Sequence, residues 1–394
     1  MRSSEGNTVV EGLHYRTGEP IRVTLSGGVI ESIEPRTASG IAAGPRIAPG
    51  LVDLQINGYR GLDFNTIPIA PGVVERATRE LYAEGVTAYY PTVITNSEAG
   101  IAEGVRAIAA ACRSDELCRR TIAGIHVEGP FISPEDGARG AHAREYVQAP
   151  DWDMFCRWQE AADGLIRIIT ISPEWDSSPA FIRNCVANGV TVSIGHTLAS
   201  PEQIRAAVEA GATMSTHFGN GAQLMLPRHP NYLWEQLAQD ALWCCLIADG
   251  FHLPDQVLKV AMKVKGAHAM LVSDAVYLSG MPAGEYKTHV GGHVILTPEG
   301  RLHTAANEKV LAGSAQMLLW GIEHVVRRGL ASMSEAWDMS SARPAAFMNL
   351  PERAGLAAGA PADLALFDWD GDRVHLQQTY KSGELVFDRT KESD

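Results

Sequence analysis

Cysteine is scarce in this chain. Only six of its 394 residues are Cys, and Cys112, Cys118, Cys156, Cys185, Cys244 and Cys245 include no CxxC pair. That excludes a disulfide framework and a thiolate zinc knuckle, and it points to reduced thiols in a cytoplasmic protein. Long apolar runs are missing too. The longest dense one, Ala241–Ala248, is far too short to span a bilayer and reads as a buried strand. Met1–Val10 is polar and has no apolar h-region, so no secretory signal is expected. Positive charge is in deficit: 33 Lys and Arg stand against 46 Asp and Glu, a net charge of −13. A general nucleic-acid binder needs the opposite balance, so neither nucleic acid nor membrane is an expected partner. An anionic small molecule must find a local positive site. Apolar residues make up 45% and charged residues 20%, an ordinary globular balance that rules out disorder.

The two ends of the chain share a pattern. Thr8–Val10, Ile21–Leu25 and Val29–Ile33 are short β-type runs separated by Gly- and Pro-containing turns. Ala362–Phe367, Arg373–Leu376 and Glu384–Asp388 repeat the pattern near the C-terminus. The termini are therefore expected to meet in one small β-domain.

Between Pro49 and about Arg343, apolar runs alternate with helical stretches. The strand candidates are Leu51–Gln55, Thr87–Val93, Ile122–Val127, Ile166–Ile171, Thr191–Ile194, Thr213–Thr216, Leu242–Ala248 and Met270–Ser273. Most are continuously apolar, as parallel strands covered on both faces require. Helix candidates include Val73–Glu84, Ser177–Asn188, Pro201–Ala210 and Pro254–Lys265, ending at Gly85, Gly189, Gly211 and Gly266. Eight strand–helix units predict an α/β fold of the (β/α)8 type. A doubly wound open sheet has the same alternation, so strand counting alone leaves closure open.

Polar residues that are costly to bury stand at the downstream ends of these strands. They include Asp53, Gln55 and Asn57, then His126 and Glu128, His196, His217, Asp249 with His252, and Asp274. In a barrel all these ends meet on one face. A lone His at a strand end is usually a satisfied structural residue, and an isolated Asp there is usually a helix cap. Glu128, His196, His217 and Asp274, each closing a different apolar strand, are hard to explain by packing, because burying them unpaired costs several kcal/mol apiece. Two imidazoles and a carboxylate suffice for a catalytic Zn2+ with a position left for water. A nearby carboxylate such as Asp274 could then remove the water's proton.

Particular stretches add to this. The chain resembles the amidohydrolase superfamily in Ala48-Pro49-Gly50-Leu51-Val52-Asp53, Gly124-Ile125-His126-Val127-Glu128-Gly129-Pro130-Phe131, Gly140-Ala141-His142, Gly195-His196-Thr197, Thr216-His217 and Asp249-Gly250-Phe251-His252. Further matches are Ser273-Asp274-Ala275, Leu311-Ala312-Gly313-Ser314 and Pro361-Ala362-Asp363-Leu364. The resemblance implies a metal-bearing barrel over residues 48–349 and a small β-sandwich from 1–47 plus 350–394. It implies that Glu128, His196 and His217 bind one divalent metal, Zn2+ in the first place, with Fe2+, Co2+ or Mn2+ as other candidates. Asp274 would be the catalytic acid/base. His142 and His252 would contact the sugar or the scissile carbonyl. Asn220, Gly221 and Arg228 would sit near a phosphate. The implied reaction removes the N-acetyl group of N-acetylglucosamine 6-phosphate, giving glucosamine 6-phosphate and acetate. An Arg from a neighbouring subunit can serve the phosphate in this family, so a homodimer is implied.

Two departures matter. Where many amidohydrolases carry His-x-His for a second metal, this chain has Gln55-Ile56-Asn57. Amides are poor transition-metal ligands, so one metal is expected, with Gln55 and Asn57 as hydrogen-bonding residues. After His217 the usual Asn-Ala-Met becomes Asn220-Gly221-Ala222, and Pro227 and His229-Pro230 flank Arg228. The altered loop keeps open a single-metal amidohydrolase acting on another N-acetylated sugar phosphate or an N-acyl amino acid. A non-catalytic sugar-phosphate sensor is a further rival, which has no need of metal and base together. His14, His229, His268, His289, His293, His303 and His324 receive no role.

Overall fold

The computed structural model describes residues 7–36, 44–288 and 292–391; Met1–Gly6 of the polar leading stretch, and His289, lie outside them. Eight parallel strands form the central sheet: Leu51–Ile56, Val86–Ile94, Ile125–Glu128, Ile166–Ile171, Thr191–Ile194, Met214–Ser215, Trp243–Leu246 and Ala269–Leu271. Each pairs with its neighbour in chain order. The sheet curls until its first and eighth strands meet. They join at their downstream ends, where Ile56 bridges Ala275, Asp274 N–H donates to the Gln55 carbonyl at 2.9 Å and Asn57 N–H to the Ala275 carbonyl at 2.7 Å. A (β/α)8-type barrel, not an open doubly wound sheet, is the result.

The continuous apolar runs are explained by two separate layers of packing. Leu51, Ile169, Leu246 and Leu271 pack outward with helix residues such as Ala77, Ile182, Ile204 and Leu258. Their chain neighbours Val52, Ile168, Cys245 and Met270 form a different cluster, with Leu54 and Tyr90, that fills the barrel interior. Strand residues therefore find apolar partners on both faces, which alternating sequences could not provide.

Helix ends follow local chemistry. Pro201–Ala210 opens on Ser200, whose hydroxyl accepts from Gln203 N–H while the Gln203 side chain accepts from Ser200 N–H, and it closes on Gly211 at φ 113°. A left-handed residue there favours glycine. The third strand begins at Ile125 rather than Ile122, because Asp115 caps a helix over Glu116–Thr121. The sixth and seventh strands are shorter than expected, since Thr216 and the Ile247–Asp249 segment leave the ladder to enter site loops.

A second sheet has seven strands in the order Glu384–Asp388, Val374–Lys381, Leu364–Trp369, Arg46–Pro49, Thr8–His14, Pro20–Ser26 and Val29–Pro35. It combines both termini. Arg46–Pro49 pairs with a strand from each end and runs through Gly50 into the barrel. Trp337 fastens the junction: its ring stacks on Phe367 with centroids 4.2 Å apart, and its Nε1–H donates to the Pro49 carbonyl.

Nothing in the sequence patterns points to a third sheet. Four short antiparallel strands, Gly284–Lys287, His293–Leu296, Leu302–Thr304 and Asn307–Leu311, follow the eighth barrel strand. The first and last are polar and exposed, and periodicity says little about such segments.

Candidate metal centre and active-site cavity

Glu128, His196 and His217 end the third, fifth and sixth barrel strands, and their donor atoms lie within 4.8 Å of one another. His217 Nε2 is 3.0 Å from Glu128 Oε1 and 3.0 Å from His196 Nε2; His196 Nε2 is 3.5 Å from Glu128 Oε1. All three are buried.

The donor set fits a divalent cation. His196 Nδ1 lies 3.0 Å from the Ala138 carbonyl, which can only accept, so Nδ1 carries a proton there and Nε2 is the ring nitrogen that faces Glu128 and His217. Burial alone would raise the Glu128 carboxyl, but hydrogen bonds and charge from His196 and His217 outweigh it and hold the group well below the usual carboxylate range. An anion and two imidazole nitrogens face one point, the N/O set that zinc and related ions take.

His196, His217 and Asp274 have φ of 47°, 25° and 46°. Non-glycine residues in this region store strain, and such strain gathers at functional sites. Close backbone approach adds a further constraint. Gly221, at φ 59°, lies so near the His196 ring that an added Cβ would stand 2.7 Å from Nδ1. The altered Gly221 therefore fits its place under the imidazole.

Asp274 follows the eighth strand. Its Oδ1 accepts from Asn57 Nδ2 at 2.8 Å and Gln55 Nε2 at 3.1 Å. Gln55 Nε2 also reaches Glu128 Oε1 at 2.9 Å. The two amides thus hydrogen-bond, as expected of them, and they do so to Glu128 and Asp274. Burial, then the nearby Glu128 charge, pushes the Asp274 carboxyl up to about 6.

Glu128, His142, His196, His217, Asn220, Gly221, His252 and Asp274 all line one cavity of about 650 Å³. That lies inside the roughly 300–1,000 Å³ typical of small-molecule sites. His142 Nδ1 is 2.7 Å from Thr95 Oγ1, and burial, then the His196 charge, pushes its pKa down to about 3. His252 Nδ1 is 2.7 Å from Asp249 Oδ2. Arg228 is not brought to this cavity: it is exposed and outside the lining.

Thr95 escaped sequence reasoning, whereas Asp249 and His126 stood out there only as polar residues at strand ends. Thr95 comes from the loop after the second strand, and no spacing links it to His142. Asp249 had a readable signal, since its Oδ1 accepts the N–H groups of Phe251 and His252, a turn that Asp-Gly favours. His126 is buried below the site, with Nδ1 on the Leu54 carbonyl and Nε2 on Thr170 Oγ1; burial pushes its pKa down to about 4. Cavity residues Thr288, Arg301 and Lys309 come from the unforeseen third sheet or its edge.

A barrel presenting two imidazoles, one glutamate and a separate aspartate at its downstream face has the layout of a metal-dependent hydrolase. The chain belongs to the amidohydrolase family, whose sequence signature matches residues 46–386. It is similar to the N-acetylglucosamine-6-phosphate deacetylase of Mus musculus, at 33% identity over 354 residues, covering 86% of this chain and 83% of that protein. The protein of that name in Bacillus subtilis (strain 168) is 30% identical, covering 88% of this chain and 86% of its own. Among solved structures, N-acetyl-D-glucosamine-6-phosphate deacetylase from Mycobacterium smegmatis, in complex with N-acetyl-D-glucosamine-6-phosphate, superposes with a TM-score of 0.85. It is 26% identical, covering 97% of this chain and 100% of that one. No helix among the described residues is long and apolar enough to cross a membrane.

Proposed function

We propose that the chain hydrolyses the acetamide of N-acetylglucosamine 6-phosphate, releasing acetate and glucosamine 6-phosphate. The convergence of Glu128, His196 and His217 beside Asp274 in one cavity carries this reading. The similarity to deacetylases of this substrate supports it.

Glu128, His196 and His217 would hold one divalent cation, Zn2+ before Fe2+, Co2+ or Mn2+, which when bound supplies Lewis acidity toward water and the amide carbonyl. Asp274 takes the proton of the attacking water and passes it to the departing amine. It must begin ionised, and the N–H groups of Asn57 and Gln55 favour that form. His142, neutral in its buried position, offers a ring N–H to the developing oxyanion. His252, steadied by Asp249, orients the sugar.

The backbone of Asn220 and Gly221 approaches the phosphate, and Arg228 reaches it from a second copy. An exposed apolar patch on the same segment, with Leu224 94%, Met225 86% and Trp234 54% exposed, gives a homodimer a surface to bury. The six free cysteines suit a reducing cytoplasm. The proposed division is a barrel over 48–349 and a terminal β-domain from 1–47 plus 350–394.

The test is acetate release from N-acetylglucosamine 6-phosphate, other N-acetylated sugar phosphates and N-acyl amino acids, with bound metal measured in parallel. Highest kcat/KM on the first supports the proposal. A clear preference for another member transfers the site to that substrate, and no release from any of them removes the hydrolase reading.

A further inference from the structure

The cavity is lined by charges of both signs. Three carboxylates, those of Glu128, Asp274 and Asp63, line it. Apart from histidines, the cationic side chains among its described lining residues are Arg301 and Lys309, and both come from the third sheet. This sheet is built to present them. Arg301 N–H donates to Thr297 Oγ1 at 3.2 Å, and Gln316 Nε2 holds the preceding Gly300 carbonyl at 2.8 Å. The Arg301 guanidinium donates to the Glu308 carbonyl, on the strand that carries Lys309. The two charges thus stand on one small sheet, Arg301 just before the strand Leu302–Thr304 and Lys309 on the neighbouring strand.

Neither cation makes an ion pair among the described residues. Elsewhere on the chain, arginines such as Arg16, Arg79, Arg205 and Arg328 meet carboxylates. Two cations without ion pairs, an exposed Lys309 and a half-buried Arg301, on the lining of a cavity that also holds the Glu128/His196/His217 cluster suit a ligand that carries an anionic group besides its reacting carbonyl. Guanidinium and ammonium groups are the side chains that bind phosphate.

We propose that Arg301 and Lys309 form a cationic rim that adds to the phosphate contacts proposed for Asn220, Gly221 and the Arg228 of a second copy, so that the third sheet contributes to the preference for a phosphorylated sugar. The proposal deepens the deacetylase reading and rests on it for the position of the substrate.

The experiment compares wild type with Lys309→Gln and Arg301→Gln. Lys309 is exposed, so its replacement leaves packing untouched. The readout is the ratio of kcat/KM for N-acetylglucosamine 6-phosphate to that for N-acetylglucosamine. Each substitution should lower this ratio roughly tenfold, chiefly through KM, as expected for loss of one charge-assisted contact. Added salt should lower the wild-type ratio as well. A ratio unchanged in both variants overturns the rim and leaves the deacetylase reading standing. If wild type cleaves neither sugar, that reading falls, and inorganic phosphate titrated calorimetrically decides the rim. Weaker binding by the variants supports it; equal binding overturns it.

Discussion

Asn57 donates its side-chain amide to Oδ1 of Asp274 across 2.8 Å, from the first barrel strand to the last. The proposed acid/base is thus held by a residue at the opposite end of the barrel sequence. Replacing Asn57 with Ala frees the carboxylate to turn. We expect kcat to fall on the order of tenfold to a hundredfold, with KM and bound metal near wild type, because small displacements of a reacting group are that costly. Asp274→Asn should keep its metal and lose turnover by at least about a thousandfold. Near-normal kcat in Asp274→Asn would remove it from the reaction.

Metal content gives a second prediction. One equivalent per chain is expected, since Gln55 and Asn57 supply amides where a second ion would need imidazoles. Chelation should abolish turnover, and restoring a divalent ion should recover it. His196→Ala and His217→Ala should both lower bound metal, read by elemental analysis. Two equivalents in the active protein would contradict the single centre.

Thr95→Val tests the support of His142. The exchange keeps shape and removes the hydroxyl 2.7 Å from Nδ1. A buried ring nitrogen left without a partner costs about 1–3 kcal/mol. Denaturant midpoints should shift accordingly, and kcat should fall more than KM changes. An unchanged midpoint would mean that the imidazole finds another partner.

Asp53 gives a prediction in pH. It is fully buried, Oδ1 accepts from Ser273 and Gln55 N–H, and Oδ2 has no described partner. Burial pushes its carboxyl from 3.8 up to about 7. Between those values the folded chain binds a proton that the unfolded chain has released, so stability falls as pH rises. From pH 6 to 8 this one group should cost roughly 1 kcal/mol. Asp53→Asn should flatten the unfolding free energy against pH by that amount. Parallel profiles for the two proteins would refute the assignment.

How much could be read from the sequence depended on where the information lies. Ile166–Ile171 and Pro201–Ala210 were legible to the residue. One is a continuous apolar run, and the other carries its cap, its Pro and its terminal Gly within a dozen positions. Glu128, His196, His217 and Asp274 were legible because each is a costly polar group closing an apolar strand. Thr95 was not, since its meaning comes from His142, which lies on a different segment. Gly284–Lys287 and Asn307–Leu311 were not, because short exposed hairpins have little apolar period to detect. Arg228 stood out only through the family resemblance and is not among the residues lining this cavity; Arg301 had no such signal and lines it.

The first and last strands of the barrel touch through Gln55, Ile56 and Asn57 on one side and Asp274 and Ala275 on the other. The zip that shuts the cylinder is therefore made of the same residues that present the proposed acid/base, Asp274. Opening of that zip would displace Asp274 while the other strand pairs of the cylinder stay intact. Inactivation on warming should accordingly precede loss of helical circular dichroism, and mutations that tighten the closure should raise the temperature at which activity survives.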